Sequence, residues 1–168
     1  MKRAYLAALL TLGLAGCAED LQSFGPSAQP PPPPPPPLVE TGSIHGLAAF
    51  HTAAGYLGSC AGLSVLATAE SPESRARMVS LYGSTTRAVQ SVAAVRLKAS
   101  RLPPPPPTAG AAQCDEAGRF SFNDLHAGAY FLIAHVHVRR GDRPDGDDVI
   151  LQRVVLRPGE TRDVAMAE

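Results

Sequence analysis

The chain reads as an all-β protein, an antiparallel Greek-key-type β-sandwich with a short helix in an inserted segment. Three observations predict this. From Thr41 onward, short runs rich in Val, Ile, Leu and Phe alternate with polar residues and are bounded by Gly, Pro, Asn and Asp. Ala129 to Val138 alternates throughout, with Tyr130, Leu132, Ala134, Val136 and Val138 on one face and Phe131, Ile133, His135 and His137 on the other; the first face is expected to be the core. Helix-start signals, by contrast, gather at Ser71-Pro72-Glu73.

Ahead of this domain stand Lys2, Arg3 and an apolar run from Tyr5 to Leu14. That run is too short for a hydrocarbon core, which takes about 20 helical residues, so a signal peptide is expected. Leu14-Ala15-Gly16-Cys17 resembles the lipobox of bacterial lipoproteins, where small residues admit the backbone to the signal peptidase and the cysteine thiol takes a diacylglycerol. The resemblance implies cleavage before Cys17 and attachment to a lipid bilayer through acyl chains on Cys17, each buried methylene adding about 0.8 kcal/mol. In such lipoproteins an aspartate after the cysteine favours the inner membrane. Ala18 stands there instead, which implies the outer membrane of the cell envelope, with the domain facing the periplasm or the cell surface.

The expected organisation is therefore a signal peptide at 1–16, a lipidated, proline-rich linker at 17–40 and a sandwich at 41–168. Pro30 to Pro37 is an unbroken proline run. Its rings fix φ and offer no N–H, which imposes polyproline II; at about 3.1 Å per residue it is a semi-rigid spacer of roughly 25 Å.

Within the domain, Ser43 to Phe50 is the opening strand, followed by a turn around Gly55 and Gly58. Leu63 to Ala69 alternates like a strand packed on one face and partly covered on the other. Ser71 is a capping hydroxyl, Pro72 suits the first helical position and Glu73 the first turn, so a helix runs to about Tyr82 before Gly83 stops it. In Val89 to Ser100, Ala93, Val95, Leu97 and Ala99 alternate with Arg96, Lys98 and Ser100, the pattern of a strand with a solvated basic face, and Pro103 to Pro107 ends it. Asp115 to Gly118 is a turn, Arg119 to Phe122 a short strand, and Asp124 to Gly128 a second turn into Ala129–Val138, so these two strands are expected to form an antiparallel hairpin. A polar loop from Gly141 to Asp148, a strand from Val149 to Leu156, a turn at Arg157-Pro158-Gly159-Glu160 and a last strand through Val164 and Met166 complete the domain.

Gly118-Arg119-Phe120-Ser121-Phe122, then Leu125, Gly128 and Tyr130, with the closing Pro158-Gly159-Glu160, resemble the carboxypeptidase regulatory-like, or transthyretin-like, β-sandwich domain. The resemblance covers roughly residues 41–168. It implies a binding, spacing or folding module that is not an enzyme, with no cofactor and no catalytic residues to carry over. The segment from Glu70 to Gln113 departs from the plain pattern.

Charge excludes one class of partner. The chain has 15 basic and 15 acidic residues; removing Lys2 and Arg3 leaves 15 − 2 = 13 against 15, or −2, with no concentrated basic face, so no nucleic acid is expected to bind. Zero Trp argues against a sugar-stacking platform. The expected partner is an envelope protein or polymer.

With Cys17 lipidated, Cys60 and Cys114 either pair in the oxidising compartment, pinning the ends of the atypical segment, or remain two free thiols. Gly58-Ser59-Cys60-Ala61-Gly62 has the letters of a nucleophile elbow, but a strand follows where a helix belongs. His135 and His137 share a strand face at a spacing suited to zinc or copper and carry the alternative reading, a metal-binding factor or enzyme, provided that His45, His51 or a Glu converges on them. Asp142, Asp145, Asp147 and Asp148 crowd one loop without the order of a calcium loop. Arg75, Arg77, Tyr82 and Arg87 are candidates for binding an anionic group, set against a charged helix face covering the sandwich.

Overall fold

The computed structural model describes residues 40–52, 54–139 and 145–167, all within the compact unit Pro37–Glu168. Cys17, the proline run at 30–37 and Asp142 lie outside the described residues.

The first strand, β1 (Thr41–Leu47), is the centre of a three-stranded sheet, antiparallel to β7 (Arg119–His126) on one side and parallel to β10 (Thr161–Ala165) on the other. The larger sheet is built around β8 (Gly128–Arg139). β9 (Gly146–Leu156) pairs along one whole edge of β8, while β4 (Ser64–Ala69) and β3 (Leu57–Ser59) share its other edge. β6 (Gly110–Gln113) extends the sheet from β4, β2 (Ala49–His51) from β3 and β5 (Arg87–Ser91) from β9. The fold is thus an all-β sandwich; most pairings are antiparallel, with β1–β10 parallel.

The inner faces meet in one core. Ile44, Phe120, Phe122 and Val164 come from the small sheet, and Val65, Ala67, Tyr130, Leu132, Ala134, Val136, Ile150 and Val154 from the large one. The face of β8 expected to be core is the one that is buried here. Cys60 and Cys114 lie in the same cluster and are joined as a disulfide with Cα atoms 5.8 Å apart.

The chain changes sheet where a hairpin is expected. β7 pairs with β1 and β8 with β4, β3 and β9, so the two neighbouring strands are not hydrogen-bonded to each other. The turn signal at Asp124 marks a β-bulge: Ile44 pairs with Phe122 and Gly42 with Leu125, leaving Asn123 and Asp124 opposite Ser43 alone. Asp124 takes φ 58°, a left-handed conformation that aspartate tolerates. A bulge bends and twists its strand, and here it releases the chain at Ala127, whose N–H donates to the carbonyl of Glu40, toward the opposite sheet. Both strands then point their apolar alternates into one core from opposite sides.

α1 (Pro72–Tyr82) forms as its caps dictate. The Ser71 hydroxyl accepts from the Ser74 N–H, the Ser74 hydroxyl returns the favour to the Ser71 N–H, and Gly83 closes the helix in the left-handed region at φ 75°. The expected strand over Val89–Ser100 is half right. β5 holds Arg87–Ser91, but Val92–Ala99 is a second helix, α2, with Ser91 as its N-cap. Val92, Val95 and Ala99, spaced by three and four, pack on the domain, while Leu97, which a strand would have turned inward with Val95, is 61% exposed. Both helices cover the outer face of the larger sheet, where Met78, Leu81 and Tyr82 of α1 pack on Phe131, Val149 and Leu151. Asp147 and Asp148, assigned to a loop from sequence, stand at the start of β9.

Candidate functional site in the small sheet

Strand alternation sends Ile44, Gly46, Phe120, Phe122 and Val164 inward, so their neighbours His45, Leu47, Arg119, Ser121, Asp163 and Ala165 face out. Register then assembles them. Ser121, His45 and Asp163 lie side by side across the three strands, and Arg119, Leu47 and Ala165 form the next row. Directly opposed positions on one face put Cβ atoms about 5 Å apart.

The floor beneath these rows depends on Gly46. Its cross-strand partner is Phe120, and a Cβ at position 46 would stand 1.9 Å from the Phe120 ring, so only glycine lets that ring fill the space. Phe122 meets Phe120 edge to face, with centroids 5.8 Å apart. Above this floor runs an open groove of about 860 Å³, rimmed also by Gln113 and Asp115 on either side of Cys114. Asp115 shapes the rim: its Oδ1 accepts the N–H groups of Ala117 and Arg119 at 2.9 and 2.7 Å.

Among the described residues, the side chains of His45, Arg119, Ser121 and Asp163 have no hydrogen-bond or ion-pair partner within the protein. The groove thus presents a guanidinium, an imidazole, a hydroxyl and a carboxylate together, beside the half-exposed Leu47 and the methyl of Ala165. Ser121, His45 and Asp163 are the residue types of a hydrolytic triad. No hydrogen bond links them in this structure. What the set can do is exchange hydrogen bonds with a ligand that both donates and accepts.

The sites expected from sequence come out differently. Arg75, Arg77 and Arg87 each have a different partner, and Arg77 lies near Tyr82. Arg75 pairs with Glu70 at 2.6 Å, Arg77 donates to the Pro103 carbonyl at 2.7 Å, and Arg87 donates to the Ala167 carbonyl from Nε and from a terminal nitrogen. Tyr82 is buried under the helices, and that desolvation pushes its phenol up to about 12. Each of the three arginines of this candidate set thus holds a partner within the fold. Glu70 is a hub: Arg153 donates from Nε to Oε1 at 3.1 Å and to Oε2 at 2.9 Å, and from a terminal nitrogen to Oε2 at 2.7 Å. The Arg153 hydrogen bonds hold the Glu70 carboxyl below the usual carboxylate range against the opposing effect of burial.

His135 and His137 lie exposed on the outer face of β8. His137 Nδ1 bonds Asp147 at 2.8 Å and Nε2 reaches Asp145 at 3.3 Å, which raises its pKa, Asp147 contributing most. Both ring nitrogens of His137 therefore already face carboxylates. Among the described residues, no group of three or more His, Cys, Asp or Glu is placed to hold a metal ion. The disulfide occupies Cys60, so the elbow-like sequence around it has no thiolate.

No protein-family model matches the chain, and no curated protein matches it. Among solved structures it is similar to a candidate carbohydrate-binding protein of Pseudomonas aeruginosa, with a TM-score of 0.53 and 16% identity, covering 77% of this chain and 90% of that one. At that identity the likeness establishes the sandwich fold.

Proposed function

We propose that the chain is an envelope lipoprotein, anchored through Cys17, whose sandwich binds a carbohydrate polymer in the groove of the small sheet without transforming it. The observation that carries this reading is the set of adjacent, unpartnered side chains Ser121, His45, Asp163 and Arg119 over the groove. A carboxylate accepts from neighbouring sugar hydroxyls, a guanidinium donates to them, and Leu47 and Ala165 offer a small apolar surface to the C–H face of a sugar ring. With zero Trp in the chain, recognition rests on hydrogen bonds more than on ring stacking.

Two likenesses support a binding module over an enzyme. One is the carboxypeptidase regulatory-like pattern at Gly118–Phe122 and Pro158–Glu160. The other is the shared fold with the Pseudomonas aeruginosa protein described as a candidate carbohydrate binder. The lipobox-like Leu14–Cys17 supports the anchor. A glycan array carrying peptidoglycan and outer-membrane saccharides, probed with the mature chain, tests the ligand. Saturable binding lost in Asp163→Ala and Arg119→Ala is expected; binding indifferent to both changes, or none, refutes the groove. Labelling with a palmitate analogue, lost in Cys17→Ser, tests the anchor.

A further inference from the structure

We infer that the proline run Pro103–Pro107 is a second recognition element, a preformed ligand for a protein domain with an aromatic-lined groove and an acidic residue at one end of it. The run links α2 to β6, and none of its residues lines the groove of the small sheet. Each of Pro103 to Pro106 is followed by another proline, so sterics confine them to polyproline II, which over five residues spans about 15 Å.

Its two ends are fixed by the folded domain. Upstream, Leu102 packs on the cluster under the helices, and Arg77 donates to the Pro103 carbonyl at 2.7 Å. Downstream, the Ala109 N–H donates to the Ala67 carbonyl at 2.7 Å as the chain enters β6. Between these anchors Pro103, Pro104, Pro105 and Pro107 are exposed and Pro106 is half-buried.

Polyproline II repeats every three residues. Of the three edges, the one carrying Pro103 and Pro106 is partly covered at Pro106 and the one carrying Leu102 and Pro105 is partly covered at Leu102. That leaves the edge carrying Pro104 and Pro107 facing outward. Aromatic grooves read proline pairs at this spacing, because successive rings on one edge fill adjacent slots between aromatic side chains. Arg101, exposed and without a side-chain partner among the described residues, stands three positions before Pro104. It supplies the charge that fixes the direction of docking and selects an acidic counterpart. The segment is already ordered on both sides, so docking does not carry the ordering cost of a free peptide.

The absence of Trp gives a clean measurement. An SH3 domain of the class that reads Arg-x-x-Pro-x-x-Pro, with a tryptophan in its groove, is titrated with the full chain while tryptophan emission is followed. The expected result is a saturable emission change that disappears in the double variant Pro104→Ala, Pro107→Ala and weakens at least about tenfold in Arg101→Glu. Arg101→Glu alters a solvent-facing side chain and serves if the double variant fails to fold, which circular dichroism reports. The inference is overturned by a flat titration, by binding that Arg101→Glu leaves unchanged, or by binding that survives Pro104→Ala, Pro107→Ala and vanishes in Pro33→Ala, Pro36→Ala; that last pattern assigns the signal to the linker prolines instead.

Discussion

On the outer face of the larger sheet, Glu70 is gripped by Arg153 and Arg75, Arg77 holds the Pro103 carbonyl, and Lys98 donates to the Leu81 carbonyl at 2.9 Å. On the outer face of the small sheet, His45, Arg119, Ser121 and Asp163 hold nothing within the described protein. One face is covered by two helices and uses its charges to keep them there. The other is uncovered among the described residues and keeps its charges available. The difference teaches that the number of arginines in a segment says little about binding; what matters is whether each already has a partner when the chain is folded.

The largest test of this contrast is the disulfide. Replacing Cys60 and Cys114 together by serine is expected to cost about 4 kcal/mol in urea unfolding, from the chain-entropy treatment of a loop of this length. Because Cys114 sits between Gln113 and Asp115, amide exchange is expected to accelerate first at the groove rim, not in α1. Equal acceleration in both regions breaks the comparison. Next comes Gly46→Val, which forces a side chain into the Phe120 ring within a central strand and is expected to cost about 3 kcal/mol on the same measurement.

Arg153→Ala is a smaller change, since that side chain is 34% exposed and Glu70 retains Arg75; a loss smaller than that of Gly46→Val is expected at neutral pH in the same unfolding measurement. The sign with pH follows from the lowered Glu70 pKa. Its contribution is fully present above the carboxyl's unfolded value and is lost as pH falls through the folded one, so wild type and variant converge in acid. The smallest effect is expected on the bare face: Arg119→Ala and Asp163→Ala each shift stability by less than about 0.5 kcal/mol while abolishing saccharide binding. A stability loss comparable to that of Arg153→Ala shows that the two faces are not different in kind.

Much of the fold was legible in residue order because local chemistry decides it. Ser71, Pro72 and Gly83 specify α1 from within their own segment, and the inward face of β8 follows from alternation alone. α2 was not legible, since Val92–Ala99 fits both a period of two and a period near 3.6, and only its packing beside α1 chooses. The break between β7 and β8 was hidden for a related reason. Asp124 and Gly128 suit a hairpin turn as well as a bulge with a crossing, and strand pairing is settled by β1, nearly eighty residues upstream. The groove was harder still. His45, Ser121 and Asp163 carry no motif in order, and register alone makes them neighbours; the outward alternates of β1, β7 and β10 were the signal that was there to be read.

The parallel pairing of β1 with β10 has a mechanical consequence. Ser43 through Leu47 lie in step with Thr161 through Ala165, so a load applied at the start of β1 and the end of β10 drags the two strands past each other lengthwise. In that geometry the ladder's bonds share the strain and must rupture together, whereas an antiparallel terminal pair would unzip one bond at a time. A domain closed in this way resists tugging between its ends, and its lifetime under tension is governed by the rate of that concerted rupture.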